Sequence, residues 1–142
     1  MSVYPIGFSI NKSKIVNSIP NKTRLLSPLI PGNLSTYIYN NEEDYYNNYK
    51  ESYFGMTFRK GGWDCMRHYE ILANNCIPYF INLDECPEYT LTNLPKELLL
   101  KARELANNFD EQKYFSILNE LFDYTKNNLT TKKLAQHVLN YV

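Results

Sequence analysis

Residues 59–80, RKGGWDCMRHYEILANNCIPYF, concentrate the residue types that could perform chemistry. The segment opens with Arg59, Lys60, Gly61 and Gly62. Glycine lets backbone amides approach a ligand closely, and the free N–H groups at the start of a following helix favour an anion. The loop therefore indicates a site for a phosphate or diphosphate. A plain Gly-Gly turn between a strand and a helix has the same sequence, and the loop matches neither a P-loop nor a dinucleotide fingerprint.

The predicted helix after the glycines has one apolar side and one polar side. At about 100° per residue, Arg67, Glu70 and Asn74 project together, and only Ile71 interrupts this polar face. The opposite side is the expected buried face. It consists of Cys65, Met66, Tyr69, Leu72 and Ala73.

Two interpretations of Arg67 and Glu70 are open from the residues alone. Residues three apart are neighbours on a helix, so the two side chains could form an exposed ion pair worth about 0.2–1 kcal/mol. Alternatively, Arg67 pairs with a phosphate through its planar guanidinium, and Glu70 accepts hydrogen bonds from sugar hydroxyls.

The central part of the chain supplies the elements that position these side chains. The pattern predicts a helix over residues 42–51, a strand over 53–58, a helix over 64–74 and a strand over 76–83. A β-α-β order implies a parallel sheet with right-handed crossovers. The glycine loop then lies at the carboxyl ends of the strands, where open parallel sheets bind ligands.

The two flanking regions differ from this core. Residues 1–40 are interrupted by prolines and predict short strands over 4–10, 24–30 and 36–39. After residue 87 the chain reads as a helical cover, in which Pro95 opens one helix and Asp110 and Thr130 cap the next two. The expected fold is a single α/β domain over residues 1–142. It comprises a strand- and loop-rich lead-in (1–40), a β-α-β core (41–87) and a helical cover (88–142), around a small parallel Rossmann-like sheet.

The composition narrows the class of protein. The chain has 142 residues, and its 15 Lys and Arg balance 15 Asp and Glu, which disfavours nucleic acid as a partner. No stretch approaches the roughly 18 apolar residues of a membrane span, and no secretory signal is recognisable. Three cysteines without close pairing suit a reducing compartment. The sequence therefore predicts a cytoplasmic protein.

Other site chemistries fit the sequence less well. Cys65, His68, Cys76 and Cys86 match no common zinc spacing, so no metal and no cofactor are expected. A Cys65–His68 hydrolase pair has no evident third group to orient it, and Cys65 is expected to face the apolar side. His68 is better interpreted as a hydrogen-bonding residue of the fold or as a secondary ligand contact, and His137 as a solvent-facing residue. Packing accounts for the helical spacing of Tyr45, Tyr46 and Tyr49.

Four short motifs together resemble the nucleotide-sugar-binding half of exostosin-like glycosyltransferases. They are SYFGMT (52–57), GGWD (61–64), RHYE (67–70) and CIP (76–78). The resemblance is specific over residues 52–87. It implies part of the C-terminal, donor-binding half of a GT-B enzyme. One departure is Asn75, which stands where the family usually has glycine.

The resemblance also implies roles for individual residues. Arg67 and the Gly61-Gly62 loop would hold the diphosphate of a UDP- or GDP-linked sugar, with Arg59 and Lys60 adding charge. Glu70 would bind the ribose, while Trp63 and Asp64 lie at the loop-helix junction near the transferred sugar. A catalytic base is not assignable.

The implied activity is sugar transfer to a glycan hydroxyl, and it needs an acceptor-binding half. Only about fifty residues precede the matching core, which is too few for that half. We therefore expect a partner subunit, a homo-oligomer or a longer enzyme. The alternative is a non-catalytic nucleotide-binding or assembly module with the same fold.

Overall fold

The computed structural model describes residues 4–142, and within this range a three-stranded sheet is flanked by five α-helices. The strands, all parallel, lie in the order β1, β2, β3, with Leu26 opposite Phe54 and Phe54 opposite Ile77. The predicted α/β class with a small parallel sheet is confirmed. The elements are β1 (Arg24–Leu26), α1 (Glu42–Lys50), β2 (Ser52–Thr57), α2 (Met66–Ala73), β3 (Ile77–Phe80), α3 (Lys96–Leu105), α4 (Glu111–Asn128) and α5 (Thr131–Leu139).

The expected strands of the lead-in are mostly wrong. Residues 4–9 form no strand, and Ile10 makes a single parallel bridge to Thr130. Residues 36–39 are not a strand either, because the chain there follows a 3₁₀ turn, Leu34–Thr36. The strand expected over 24–30 shortens to β1. Residues 1–3 of the lead-in lie outside the described range.

Side-chain caps begin three of the helices. The Oδ1 atoms of Asn41 and Asp110 accept hydrogen bonds from the backbone N–H groups of Asp44 (2.8 Å) and Lys113 (3.0 Å). Thr130 Oγ1 accepts one from Lys133 N–H at 3.3 Å. The predicted caps Asp110 and Thr130 are therefore confirmed, and each satisfies a backbone donor that the helix leaves unpaired.

Two hydrophobic clusters lie on opposite faces of the sheet. Successive strand residues point to opposite faces, and Phe54 belongs to the larger cluster while the Cα of Gly55 faces Tyr49 of the smaller one. The larger cluster joins α2, β3 and the C-terminal helices. The smaller cluster consists of Leu29, Tyr49, Ile71 and Cys76, with Tyr39 and Tyr45 packed against it.

Helix α2 is buried on more sides than its sequence predicts. Met66, expected on the buried face, is exposed, whereas His68, Ile71 and Asn74 are buried. The reason is that α1 packs beside α2 and covers the flank that carries Ile71. The apparent interruption of a polar face by Ile71 is therefore a core contact.

Asn75 ends α2 in the left-handed backbone conformation that its position predicts, with φ of 52°. Its side-chain Nδ2 donates hydrogen bonds to the carbonyls of Val16 and Ser18, each at 3.0 Å. Glycine would adopt the same backbone but could not make these bonds. Asparagine here attaches the N-terminal segment to the helix end.

Candidate functional site

A pocket of about 360 Å³ lies at the carboxyl edge of the sheet, between the segment after β1, helix α1 and the start of α2. We call it the tyrosine pocket, because four of the residues that line it are tyrosines. Its size is within the range of small-molecule sites. The lining residues are Leu29, Pro31, Tyr37, Tyr39, Tyr45, Tyr49 and Arg67.

Arg67 is the charged residue of this pocket. Its Nη1 atom lies 3.5 Å from Thr57 Oγ1, at the end of β2, and 4.0 Å from Cys65 Sγ. Within residues 4–142, no carboxylate lies within 4.0 Å of the guanidinium, so the expected alternative of an ion pair with Glu70 is not formed. The guanidinium is therefore free to bind an anion.

The pKa values of two of the pocket tyrosines, Tyr45 and Tyr49, are raised, so both side chains stay protonated over the physiological pH range. Burial raises the pKa of Tyr49 to about 12, although the positive charge of Arg67 acts in the opposite direction. Burial also raises the pKa of Tyr45, with further contributions from Tyr49 and from Glu70. Neutral phenols donate hydrogen bonds, so Tyr45 and Tyr49 offer donors beside the Arg67 cation.

Glu70 lies one turn along α2 from Arg67 and faces α1. Burial raises the pKa of Tyr46 to about 12, and the negative charge of Glu70 adds to this rise. Glu70 contributes to the raised pKa of Tyr45 as well. The carboxylate thus borders the tyrosines from the α1 side and is not one of the residues that line the pocket.

The two basic residues of the glycine loop point in different directions. The Arg59 guanidinium lies 5.5 Å from the centroid of the Trp63 ring, and Trp63 stacks on Phe80 at 6.3 Å. These residues face β3 and the larger cluster. Lys60 instead lies beside Gly32, where a Cβ atom would be 3.8 Å from Lys60 Nζ. Its ammonium group is therefore close to the Pro31 rim of the tyrosine pocket.

Asp64 contacts the N-terminal segment. Its Oδ2 accepts hydrogen bonds from Phe8 N–H at 2.8 Å and from the Tyr69 hydroxyl at 3.2 Å. Tyr69 also accepts a hydrogen bond from Asn93 Nδ2 at 2.7 Å. This network connects Asp64 to the fold on the side away from α1, whereas the resemblance implies a position near a transferred sugar.

No family model, no curated protein and no solved structure matches the chain. The resemblance to exostosin-like enzymes thus stands on the four motifs alone. The positions of the motif residues are the independent information that the structure adds.

A Cys65–His68 hydrolase pair is not supported by the hydrogen bonds of His68. Its Nδ1 is 2.9 Å from Thr57 Oγ1 and its Nε2 is 2.7 Å from the Trp63 carbonyl, so both ring nitrogens are occupied. Because a carbonyl only accepts, Nε2 carries the proton and Nδ1 accepts from the Thr57 hydroxyl. Cys65 Sγ is 3.6 Å from Nε2 and so faces the histidine, contrary to expectation. Burial lowers the pKa of His68, which favours the neutral ring, and both of its hydrogen bonds are to groups of the fold.

Within residues 4–142, no three His, Cys, Asp or Glu side chains are grouped closely enough to hold a metal ion. In the same range, none of the helices has the length and apolar character that crossing a membrane requires. His137, expected to face solvent, is half-buried, and its Nε2 is 2.8 Å from the Pro5 carbonyl.

Sequence reasoning missed four of the seven residues that line the tyrosine pocket, namely Leu29, Pro31, Tyr37 and Tyr39. They lie between β1 and α1, where the sequence predicts strands over 24–30 and 36–39 but the chain is irregular at these four residues. The packing role expected of Tyr49 is confirmed, since this side chain is only 1 % exposed, but its ring also forms a pocket wall. The available signal was the density of tyrosines just before β2.

Gly61→Ala and Gly62→Ala are each expected to leave the free energy of unfolding within about 0.5 kcal/mol of the wild-type value. A Cβ at either position would meet no atom within 4 Å, and neither glycine has a positive φ. Urea unfolding of each variant checks this result. A loss above 1 kcal/mol would show that the free loop needs glycine for its own conformation.

Proposed function

We propose that the chain binds a nucleotide-sugar donor at the carboxyl edge of its sheet, as part of a glycosyltransferase-like site. The observation that carries the proposal is the guanidinium of Arg67, which lies in the tyrosine pocket and has no carboxylate partner among the residues that the structure describes. A planar guanidinium binds phosphate oxygens through two parallel hydrogen bonds. Lys60, near the Pro31 rim, supplies a second cation for a diphosphate.

The remaining donor groups find suitable partners around Arg67. The Tyr45 and Tyr49 hydroxyls are donors for phosphate or sugar oxygens, and their rings give an apolar surface for a planar base. Glu70 is proposed to accept hydrogen bonds from the ribose hydroxyls, which requires the ligand to extend from the pocket towards α1. Arg59 stacks on Trp63, so it must rotate away from this ring to reach a diphosphate.

In the proposed transfer step, one bond to the sugar C1 is exchanged for another. The bond between the sugar C1 and the diphosphate oxygen breaks, and the oxygen of an acceptor hydroxyl bonds to C1. The departing diphosphate carries negative charge, which Arg67 and Lys60 would stabilise. The hydroxyl proton goes to a base, for which the acceptor-binding half is the proposed source.

A second candidate function is an assembly module without turnover. It is favoured by exposed apolar side chains on and after the edge strand β1. Exposed apolar groups of this kind mark interaction surfaces. They include Leu25, Leu26, Ile30, Leu34 and Ile38.

Arg67→Met is expected to weaken nucleotide binding by at least about tenfold, or 1.4 kcal/mol, because a charge-assisted bidentate contact is lost. The measurement is calorimetric titration with UDP, GDP and their sugar conjugates. Glu70→Gln should weaken nucleotide binding by a smaller factor than Arg67→Met does. Lys101→Met, which removes one positive charge from an exposed position of α3, is the matched control and should change the dissociation constant less than twofold.

The outcomes separate the two functions. Binding by the wild-type chain that is lost in Arg67→Met and kept in Lys101→Met supports the donor site, and the preferred ligand names the nucleotide. If the folded wild-type chain binds none of these compounds at millimolar concentration, the donor site is wrong. The mass of the protein in solution then tests the assembly module. A protein that is strictly monomeric would contradict it.

A further inference from the structure

A second cleft, of about 360 Å³, lies where α4 ends and α5 begins. We call it the lysine cleft. It shares no lining residue with the tyrosine pocket. Four of the eight residues that line it are lysines, and none is acidic. The residues are Asn11, Lys12, Lys126, Thr130, Thr131, Lys132, Lys133 and Gln136.

Rigid elements hold these lysines together. Lys126 belongs to the last turns of α4, and Lys132 and Lys133 to the first turn of α5. The N-terminal segment reaches the same place because Ile10 N–H donates to the Leu129 carbonyl at 3.0 Å, and Thr131 N–H donates to the Ile10 carbonyl at 3.0 Å. These two bonds place Lys12 beside α5.

The positive charge of the cleft is largely uncompensated. Residues 124–142 contain three lysines and no Asp or Glu. Within residues 4–142, Lys12, Lys132 and Lys133 have no carboxylate within 4.0 Å, and only Lys126 has one, Asp123 at 4.0 Å.

The position of two of the lysines adds to this electrostatic cost. The N-terminus of a helix carries a partial positive charge, so Lys132 and Lys133 in the first turn of α5 are unfavourably placed. In a chain whose total charge is zero, such a cluster is a local excess that a bound anion would offset.

We propose that the lysine cleft binds a compact ligand with two or more adjacent phosphate groups. Ammonium groups bind phosphates as point charges, and four of them around one cleft match more than a single phosphate. The side chains of Thr131, Asn11 and Gln136 offer hydrogen-bond donors to the same ligand. The lining includes no aromatic side chain, and the rest of the chain is not basic, so an extended nucleic acid fits less well.

Two sources carry this chemistry: a soluble polyphosphorylated compound and the head group of a phosphorylated inositol lipid. Their recognition by the cleft is the same. The experiment therefore begins with inorganic tripolyphosphate and then tests vesicles of phosphatidylcholine with and without phosphatidylinositol bisphosphate.

The test is calorimetric titration of the full chain with tripolyphosphate at low salt. Lys132→Gln/Lys133→Gln is expected to weaken binding by at least about tenfold, because two ion pairs with a multivalent anion are lost together. Lys12→Gln, on a different element, should weaken it in the same direction. Lys101→Gln/Lys113→Gln removes two lysines from α3 and α4 and should change the dissociation constant less than twofold. Binding should also weaken as salt is raised, and inorganic phosphate should bind less tightly than tripolyphosphate.

The other outcomes overturn the proposal or identify the source. Absence of tripolyphosphate binding, equal affinity for inorganic phosphate, or binding that is unchanged in the folded double lysine variant would refute it. Binding lost in Arg67→Met but kept in the lysine variants would place the polyphosphate in the tyrosine pocket instead, and would equally refute it. If the cleft binds tripolyphosphate, the vesicles identify the source of the ligand. Binding to vesicles that requires the phosphorylated lipid and is displaced by tripolyphosphate assigns the lipid head group. No vesicle binding assigns a soluble compound.

Discussion

Tyr114→Ala is expected to lower the free energy of unfolding by about 3–5 kcal/mol, the cost of removing a large aromatic side chain from a packed core. Tyr114 is fully buried in α4. Its ring packs edge-on against Tyr53 at 4.8 Å and Phe54 at 5.4 Å, both on the central strand β2. The substitution would therefore remove a main packing contact between α4 and the sheet.

Tyr114→Phe divides this cost into packing and hydrogen bonding. The hydroxyl donates to the Tyr53 carbonyl, which also accepts a weaker bond from Cys76 Sγ at 3.6 Å. Because that carbonyl keeps a partner, the phenylalanine variant should lose only about 1 kcal/mol. Urea unfolding gives both values. Tyr89→Ala is the matched control, since this side chain is 84 % exposed and its loss should cost less than about 0.5 kcal/mol.

The wild-type chain and Tyr114→Phe are also expected to differ in the pH dependence of their free energy of unfolding. Burial raises the pKa of Tyr114 above the ordinary value of 10, so the unfolded chain releases this proton at a lower pH than the folded chain does. Stability from this group is complete below pH 10 and is lost as the pH rises above it. Tyr114→Phe should therefore lose stability less steeply above pH 10 than the wild-type chain. Equal slopes, or an alanine variant as stable as Tyr89→Ala, would contradict this account of the core.

The central β-α-β unit was predictable because its local signals agree. Short apolar runs, typical of strands buried on both faces, lie on either side of a segment with helical periodicity. Asp110 and Thr130 precede apolar periodic segments, which is the usual sequence of a capped helix. Asn75 is among the residue types that tolerate a positive φ. Each of these signals is contained in a few adjacent residues.

The N-terminal third was not predictable because its conformation depends on distant contacts. Residues 4–10 read as a strand, but the segment lies against α4 and α5, where Ile10 makes one bridge with Thr130. Phe8 is fixed by a hydrogen bond to Asp64, 56 residues away. β-propensity describes a residue that fits a pleated surface, and no pleated neighbour is present there.

The candidate site was predicted only in part, again because some of its contacts join segments that are distant in the sequence. The position of Arg67 follows from helical geometry, so its place at the sheet edge could be derived from the sequence. The orientation of Asp64 and Arg59 depends on which side of the loop their partners Phe8 and Trp63 occupy. The tyrosine pocket requires that α1 and the irregular segment before it meet α2, and no local pattern encodes that contact.

Gly55→Ala is expected to lower the free energy of unfolding by about 1–3 kcal/mol, the usual cost of overpacking a core. A Cβ on Gly55 would lie 3.0 Å from Tyr49 Cε1 and 3.2 Å from Ile71 Cδ1. Both neighbours are essentially fully buried, at 1 % and 0 % exposure, so neither side chain can shift within the packed core. The direction open to Tyr49 is towards the tyrosine pocket, where its ring already forms a wall. Nucleotide binding, where present, should weaken together with stability.

Ile71→Val provides the test of this mechanism, since it removes the Cδ1 atom that Gly55→Ala would contact. In a double-mutant cycle, Gly55→Ala should cost less in the Ile71→Val background than in the wild-type chain, by about 0.5–1 kcal/mol. Gly61→Ala is the matched glycine control, because its added Cβ meets no atom within 4 Å. If Gly55→Ala were as mild as Gly61→Ala, or if its cost were the same in both backgrounds, the Tyr49 ring would not be held against β2 as the structure places it. The pocket wall would then have to be formed by other residues, and the function proposed for Arg67 would lose its tyrosine hydroxyl partner.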